Sequence, residues 1–194
     1  MAVTATNLHN LSVSSPLRQF FYTSTGEAMA TIVAANYFTA ASLTGSGTTG
    51  MLKTGDLVYI KASDGDGTFK IGASGTTAAL IPVGWVNTFV TQASSGALNA
   101  FGTNYLTSTG NVNYTLTVPA ETNQMVRIIN GNSTGHTVTT TGSLSGDTDT
   151  VLTLNGLDDV ALLIAISTSK WIQASVAGAT VGTTNTSSVF HATS

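Results

Sequence analysis

The chain has 194 residues, only 8% of them charged, and a formal net charge of −3. A protein that neutralises nucleic-acid phosphates needs clustered basic residues. The six Lys and Arg residues here are scattered, so nucleic acid is not an expected partner. The lack of cysteine excludes disulfide scaffolds, thiolate zinc sites and cysteine nucleophiles.

The first predicted element is an extended arm over residues 1–22, which show no clean periodicity. They do not combine a basic start with an apolar core, so we expect no secretory signal. The longest apolar run has about eight residues, far short of the ~20 that cross a bilayer, so no membrane anchor is expected either. Ser24 and Glu27 then have the spacing of a capping box, followed by apolar residues at helical spacing. They predict one short helix that ends near residues 36–38.

The period changes to two after the loop that follows this helix. Alternation from Leu57 to Ala62, a turn with glycine and a returning run to Ile71 predict a β-hairpin. The stretch AALIPVGWVNTFV predicts one or two further strands, interrupted by Pro82 and Gly84. Residues 91–110 are small and polar and are the best candidate for a domain boundary. Beyond them, short apolar runs separated by Gly/Asn turns predict a sandwich, barrel or prism.

Together these elements predict a mainly β fold, with β-sandwich or barrel-like modules and one short N-terminal helix. We divide the chain into an arm (1–22), a module of helix plus β-hairpin (23–95), an all-β module (96–178) and a C-terminal tail (179–194). The run VALLIAI (160–166) has no polar face. We therefore expect it to be buried on both sides, at a subunit axis.

The motif DGDG (64–67) is the first candidate for a chemical site, as a bound cation. Calcium needs about six to eight oxygen ligands, and the EF-hand loop ends in a Glu that this segment lacks. Asp and Gly also suit the backbone angles of hairpin turns, and alternating apolar runs flank the motif on both sides. We interpret it as a turn and predict no metal and no cofactor.

The other candidates are weaker. Gly45, Gly47 and Gly50 match G-x-G-x-x-G, but a helix precedes them and a strand follows, the reverse of a dinucleotide site. The three histidines lie in no hydrolase motif. Five aromatic residues are candidates for stacking on sugars, although core packing is the commoner role: Tyr59, Phe69, Trp85, Tyr105 and Trp171. We find no catalytic residue and predict that the protein is not an enzyme.

Two stretches carry a resemblance. FFYTSTGEAMATIVAANYF followed by LKTGDLVYIKASDGDGTFKI resembles virion proteins of tailed bacteriophages, in which a capped helix precedes a strand and an Asp-Gly turn. The segment from YTLTVPAETNQMVRIINGNSTGHTVTT to STSKWIQASV resembles β-modules of phage head decoration proteins, head fibres and tail-associated proteins, which build trimeric knobs. The resemblance covers about two-thirds of the chain, judged by its strand and turn signals.

This resemblance implies a non-enzymatic capsid decoration (cement) protein that binds and stabilises the assembled head. Its expected partners are the major capsid protein of the same phage and two further copies of itself. Its expected location is the capsid surface of the virion, after synthesis in the host cytoplasm. The expected contact residues are Arg18, Phe20 and Phe21 in the arm and Val189 and Phe190 in the tail.

Two alternatives remain open. In the first, the chain is a tail or head fibre protein that binds host surface carbohydrate. In the second, it is a glycan hydrolase built on a β-scaffold.

Overall fold

A computed structural model describes residues 8–12, 18–34, 38, 52, 54–73, 79–145 and 148–182. The prediction of a mainly β fold with one short helix is confirmed within these residues. The chain forms two compact units, residues 1–88 and 89–194. The expected boundary at 95/96 therefore needs correction, because the polar stretch that suggested a linker folds as strands β7 (Gly96–Ala97) and β8 (Gly102–Leu106) of the second unit.

The first unit is built on one sheet, which we call sheet I. Its strands and helix are β1 (Leu8–Ser12), β2 (Gln19–Thr23), α1 (Met29–Val33), β3 (Leu57–Ala62), β4 (Gly65–Ala73) and β5 (Ala79–Pro82). Strand β2 runs parallel to β3, and the pairs β1–β2, β3–β4 and β4–β5 are antiparallel. Asn87 and Thr88, which begin β6 (Asn87–Gln92), also pair with β4.

The predicted arm (1–22) forms part of sheet I wherever the structure describes it as a strand. Strands β1 and β2 come from this segment, and β2 lies between β1 and β3 in sheet I. Phe20 and Tyr22 alternate inward and are buried, and the Tyr22 ring packs edge-to-face on Phe38 at 5.2 Å. Five residues give too short a pattern for periodicity to be visible without knowledge of the neighbouring strand.

Helix α1 is shorter than predicted. It begins at Met29, and its N-cap residue Ala28 makes no side-chain cap, so the predicted capping box is wrong. The hydroxyl of Ser24 donates instead to Oε2 of Glu27 at 2.9 Å. The helix ends at Val33, and the expected end near 36–38 lies mostly outside the described residues.

The second unit consists of two facing sheets. Besides β6, β7 and β8, these sheets contain β9 (Asn113–Leu116), β10 (Met125–Asn130), β11 (His136–Thr140), β12 (Ser143–Leu144), β13 (Val151–Leu154), β14 (Val160–Ser167), β15 (Lys170–Ala177) and β16 (Thr180–Gly182). Sheet II has the order β6-β8-β10-β14-β15-β12, and sheet III has the order β7-β9-β11-β13-β16. Residues of both sheets contribute to one hydrophobic core.

The chain begins the second unit as a parallel coil. It passes alternately between the sheets, so that β6, β8 and β10 pair in parallel in sheet II. Strands β7, β9 and β11 pair in parallel in sheet III. Antiparallel strands β13 to β16 then close the unit. Short strands joined by Gly/Asn turns gave no sign of this parallel winding.

Buried amides hold the connections of the coil. Asn104 accepts the N–H of Asn99 and donates to its carbonyl at 3.0 and 2.8 Å. Gln124 accepts the N–H of Ala120 and donates to the carbonyl of Ala100 at 2.9 and 2.6 Å. Because a buried amide without partners is costly, these bonds fix the path of each connection.

The run VALLIAI forms most of β14. Ala161, Leu163 and Ala165 point into the core between the sheets. The alternate residues lie on the opposite face of sheet II, where Ile166 is 50% exposed. Burial of this second face at a subunit axis stays a prediction.

Candidate functional site

The DGDG motif lies where a hairpin meets the helix. Ala62 pairs with Gly65, so Ser63 and Asp64 form the two-residue turn, and the predicted hairpin is confirmed. Gly65, Asp66 and Gly67, which we placed in the turn, belong instead to β4. The backbone N–H of Met29, the first residue of α1, donates to Oδ1 of Asp64 at 2.6 Å. The N–H of Ser63 donates to the carbonyl of Glu27 at 2.9 Å. Asp64 thus supplies the cap that the sequence led us to expect from Ser24.

The two glycines of the motif allow a close approach of the next segment. A Cβ on Gly65 would lie 1.9 Å from the carbonyl oxygen of Asn87, and one on Gly67 would lie 2.8 Å from Cγ1 of Val86. No side chain fits in the first of these positions without a shift of the backbone.

Asp66 is held on the outer side of sheet I. It accepts hydrogen bonds from the Tyr59 hydroxyl and, at 3.1 Å, from Nδ2 of Asn87. The bond from Tyr59, the bond from Asn87 and the charge of Lys61 together lower the pKa of Asp66, and its bond to Asp66 raises the pKa of Tyr59. Asp66 is therefore an oriented carboxylate at neutral pH. Among the described residues, no group of three His, Asp or Glu side chains could hold a metal ion.

The expected contact residues of the arm divide into two kinds. Arg18 binds Asp56 through two bonds, Nε to Oδ1 at 3.0 Å and Nη2 to Oδ2 at 2.5 Å, and its guanidinium lies 5.4 Å from the centre of the Phe20 ring. Phe20 is 3% exposed. Both side chains are thus engaged inside the first unit, and Phe20 is unavailable as a surface contact. Val189 and Phe190 lie outside the described residues.

Phe21 points the other way and helps to form a surface that we call the sheet I outer face. Cross-strand pairing places Phe21 beside Tyr59, and their rings stack at 5.7 Å with an interplanar angle of 11°. A depression of ≈ 230 Å³ adjoins Tyr59. Its other lining residues are Gln19, Phe20, Leu57 and Thr68.

The five aromatic candidates separate by burial. Phe69 and Trp171 are fully buried, and Nε1 of Trp171 donates to the carbonyl of Thr117 at 3.0 Å. Tyr105 is half-buried against Phe89. Tyr59 and Trp85 remain as surface rings, 37% and 39% exposed.

His136 is a core residue of the second unit. It is 1% exposed and packs edge-to-face on Tyr114 at 5.7 Å. Within the described part of the chain, neither ring nitrogen meets the geometry of a hydrogen bond. Burial lowers the pKa of His136, and the nearby backbone of Ser108 opposes part of this shift. An imidazole closed off in this way is suited to packing rather than to proton transfer with a substrate.

A depression of ≈ 310 Å³ lies on the outer side of sheet III, beside the backbone of His136. Thr137 pairs with Asn113 on one side and with Thr153 on the other, and its hydroxyl donates to Oδ1 of Asn113. Because side chains alternate along a strand, the imidazole of His136 points to the core and not into this depression.

The outer face of sheet II is apolar. Pairing of β10 with β14 places Met125 opposite Ile164 and Ile129 opposite Val160. The charged residue between these two pairs is Arg127, whose Nε donates to Oγ1 of Thr103 at 3.2 Å. We call this surface the sheet II outer face; its apolar members are Phe89, Tyr105, Met125, Ile129, Val160, Leu162, Ile164 and Ile166.

No protein-family model matches the chain, and no curated protein matches it either. Within the residues that the structure describes, no helix has the length and apolar character needed to cross a membrane. Function is therefore inferred from the chemistry of the two outer faces.

Proposed function

We propose that the chain is a non-enzymatic structural protein of a bacteriophage virion, which acts as a capsid decoration protein on the assembled head. Its partners in this proposal are two further copies of itself and the major capsid protein. The observation that carries the proposal is the sheet II outer face, a largely apolar surface that the chain leaves partly open to solvent.

A surface of this kind favours association. Phe89 and Ile166 are 54% and 50% exposed. Full burial of such a side chain contributes about 1.5–3 kcal/mol, so covering the exposed half of each contributes about 1 kcal/mol. Soluble monomers rarely expose a continuous apolar patch larger than a few hundred Å². Covering Met125, Ile129 and Ile164 as well brings the contact towards the roughly 1,000 Å² that a specific interface needs.

The electrostatic cost of covering this face is small. Arg127, the charged side chain on β10, already donates to Thr103 in the same sheet. The alternation of β14 gives each copy a ridge of branched side chains, and identical ridges can pack around a three-fold axis. Self-association through β10 and β14 is therefore the first step of the proposed assembly.

The mass of the purified chain in solution tests this step. Light scattering coupled to size-exclusion chromatography should give a trimer, and Ile166→Asp should shift it to a monomer. Thr139→Asp is the matched control, because Thr139 is exposed on β11 in sheet III. A monomeric wild-type chain would refute assembly through this face.

The decoration role is tested on heads. Purified protein is mixed with capsids that lack it and imaged by electron cryomicroscopy, with regular density on the head surface as the expected result. A head that stays bare refutes the proposal. The alternative, a fibre protein of the same virion, predicts a handful of copies per virion instead of hundreds.

A further inference from the structure

We propose that the sheet I outer face is a carbohydrate-binding site, with Tyr59 as the stacking ring and Asp66 and Asn87 as the groups that bind sugar hydroxyls. The site lies within the first unit, so it goes beyond the assembly role proposed for the second.

The stacking surface is fixed before any ligand binds. Parallel pairing of β2 with β3 holds Phe21 against one side of the Tyr59 ring in a nearly parallel stack. The Tyr59 hydroxyl donates to Asp66, which restrains the other end of the ring. A rigid, partly exposed ring of this kind is suited to the C–H face of a pyranose, because the face of an aromatic ring carries partial negative charge.

Hydrogen-bonding groups stand beside the ring. A carboxylate has about four acceptor positions, and Tyr59 and Asn87 occupy two of those on Asp66. The remaining lone pairs can accept from neighbouring sugar hydroxyls. The carbonyl oxygen of the exposed Asn87 amide is a further acceptor at the same place. Because these groups are already oriented by each other, little side-chain entropy is lost when a sugar binds.

The depression that adjoins Tyr59 extends the site. Its volume is ≈ 230 Å³, and it is lined by Gln19, Phe20, Leu57 and Thr68 together with Tyr59. This mixture of amide, hydroxyl and apolar surface matches a sugar ring, which has polar edges and apolar faces.

The charges select the kind of sugar. Lys61 lies opposite Asp66 across β3 and β4 and lowers its pKa, so the two charges largely balance. The group that touches Tyr59 is nevertheless a carboxylate, which repels an acidic sugar. The expected ligand is therefore a neutral hexose unit of a surface polysaccharide.

The test uses the full chain on an array of neutral oligosaccharides that end in glucose, galactose, mannose or N-acetylglucosamine. Calorimetry with the best-bound oligosaccharide follows. We expect Tyr59→Ala and Asp66→Ala to weaken binding at least about tenfold, and Tyr59→Phe to weaken it about threefold because the ring is kept. Trp85→Ala, which removes the other large hydrophobic ring that is exposed among the described residues of this unit, is the matched control and should bind like wild type.

Binding of neutral sugars that is lost in Tyr59→Ala and kept in Trp85→Ala supports the site. No binding to any neutral oligosaccharide overturns it, and so does binding that depends on Trp85 and not on Tyr59. Circular dichroism and the solution mass of each variant show that it is folded and assembled. Loss of sugar binding without a change in solution mass is therefore distinguishable from failure of the assembly proposal.

Discussion

Asp64 caps a helix that begins 35 positions earlier in the chain, and its removal should destabilise the first unit. Loss of a side-chain cap costs about 0.5–2 kcal/mol in general. Met29 is fully buried and Ala28 offers no substitute cap. Without Asp64, the N–H of Met29 would therefore lose a charge-assisted hydrogen bond in a dry environment. We expect Asp64→Ala to lower the free energy of unfolding of the first unit by about 2 kcal/mol.

The assay is urea unfolding, combined with hydrogen exchange of the α1 amides. Asp64→Asn keeps an oxygen that can accept from Met29, so it should cost less than about 0.7 kcal/mol. Ser63→Ala is the control for changing the turn itself, because the bond of Ser63 to Glu27 is made by its backbone N–H. The Met29 amide should exchange faster in Asp64→Ala than in either of the other variants.

A cation site at the same turn predicts a different pattern. Calcium at millimolar concentration would then stabilise the wild type, and Asp64→Asn would abolish this effect because it removes the charge. Equal destabilisation by Asp64→Asn and Asp64→Ala would also show that the charge, not the acceptor oxygen, is what matters. The calcium result refutes the interpretation of Asp64 as a helix cap, and equal destabilisation refutes the expectation that a neutral acceptor oxygen is enough for it.

Three further changes test the packing of each unit. Gly65→Ala should prevent normal folding of the first unit, because the added Cβ would lie 1.9 Å from a backbone oxygen. Gly26→Ala, which places its Cβ in open space, should be neutral, and thermal unfolding compares the two variants. Arg18→Ala removes both bonds to the nearly buried Asp56 and should cost about 3 kcal/mol, with a double-mutant cycle including Asp56→Ala to measure the coupling. Folding lowers the pKa of His136, so this imidazole takes up a proton more readily in the unfolded chain than in the folded one. The stability that the protein has above pH 6.5 should therefore be lost as the pH falls through the lowered pKa. His136→Phe should not show that loss in melts recorded between pH 7.5 and 5, and an identical pH dependence in both proteins would contradict the assignment.

The local features of the first unit were predictable, and its long-range contacts were not. The hairpin of β3 and β4 follows from alternation on both sides of the DGDG motif, although the turn itself is formed by Ser63 and Asp64. The start of α1 was misplaced because Ser24 and Glu27 have the right spacing, while the acceptor that binds Met29 comes from the distant Asp64. A cap supplied by another element leaves no trace in the local sequence.

The second unit shows the same limit at the level of strand pairing. Alternation shows which residues of β10 share a face, but not whether its neighbours run parallel to it. The parallel coil depends on buried amides such as Asn104 and Gln124, which a search for apolar residues does not place in a core. Both faces of β14 are apolar, which predicts that both are shielded from water. The chain itself fully buries only the face that points into the core.

The low charge of this protein gives a reason why its outer faces can be tested separately. Several of the charged side chains serve as specific structural groups: Arg18 with Asp56, Asp64 at Met29, and Asp159, whose Oδ2 accepts the N–H groups of Asn155 and Gly156. Solubility therefore depends largely on hydroxyl and amide groups, and Ile166→Asp places a new charge in the apolar part of the sheet II outer face. Buried in an interface, such a charge costs several kcal/mol, whereas on the surface of a monomer it costs little. Ile166→Asp should therefore separate assembly from folding, and a sugar site built within the first unit should be unaffected by it.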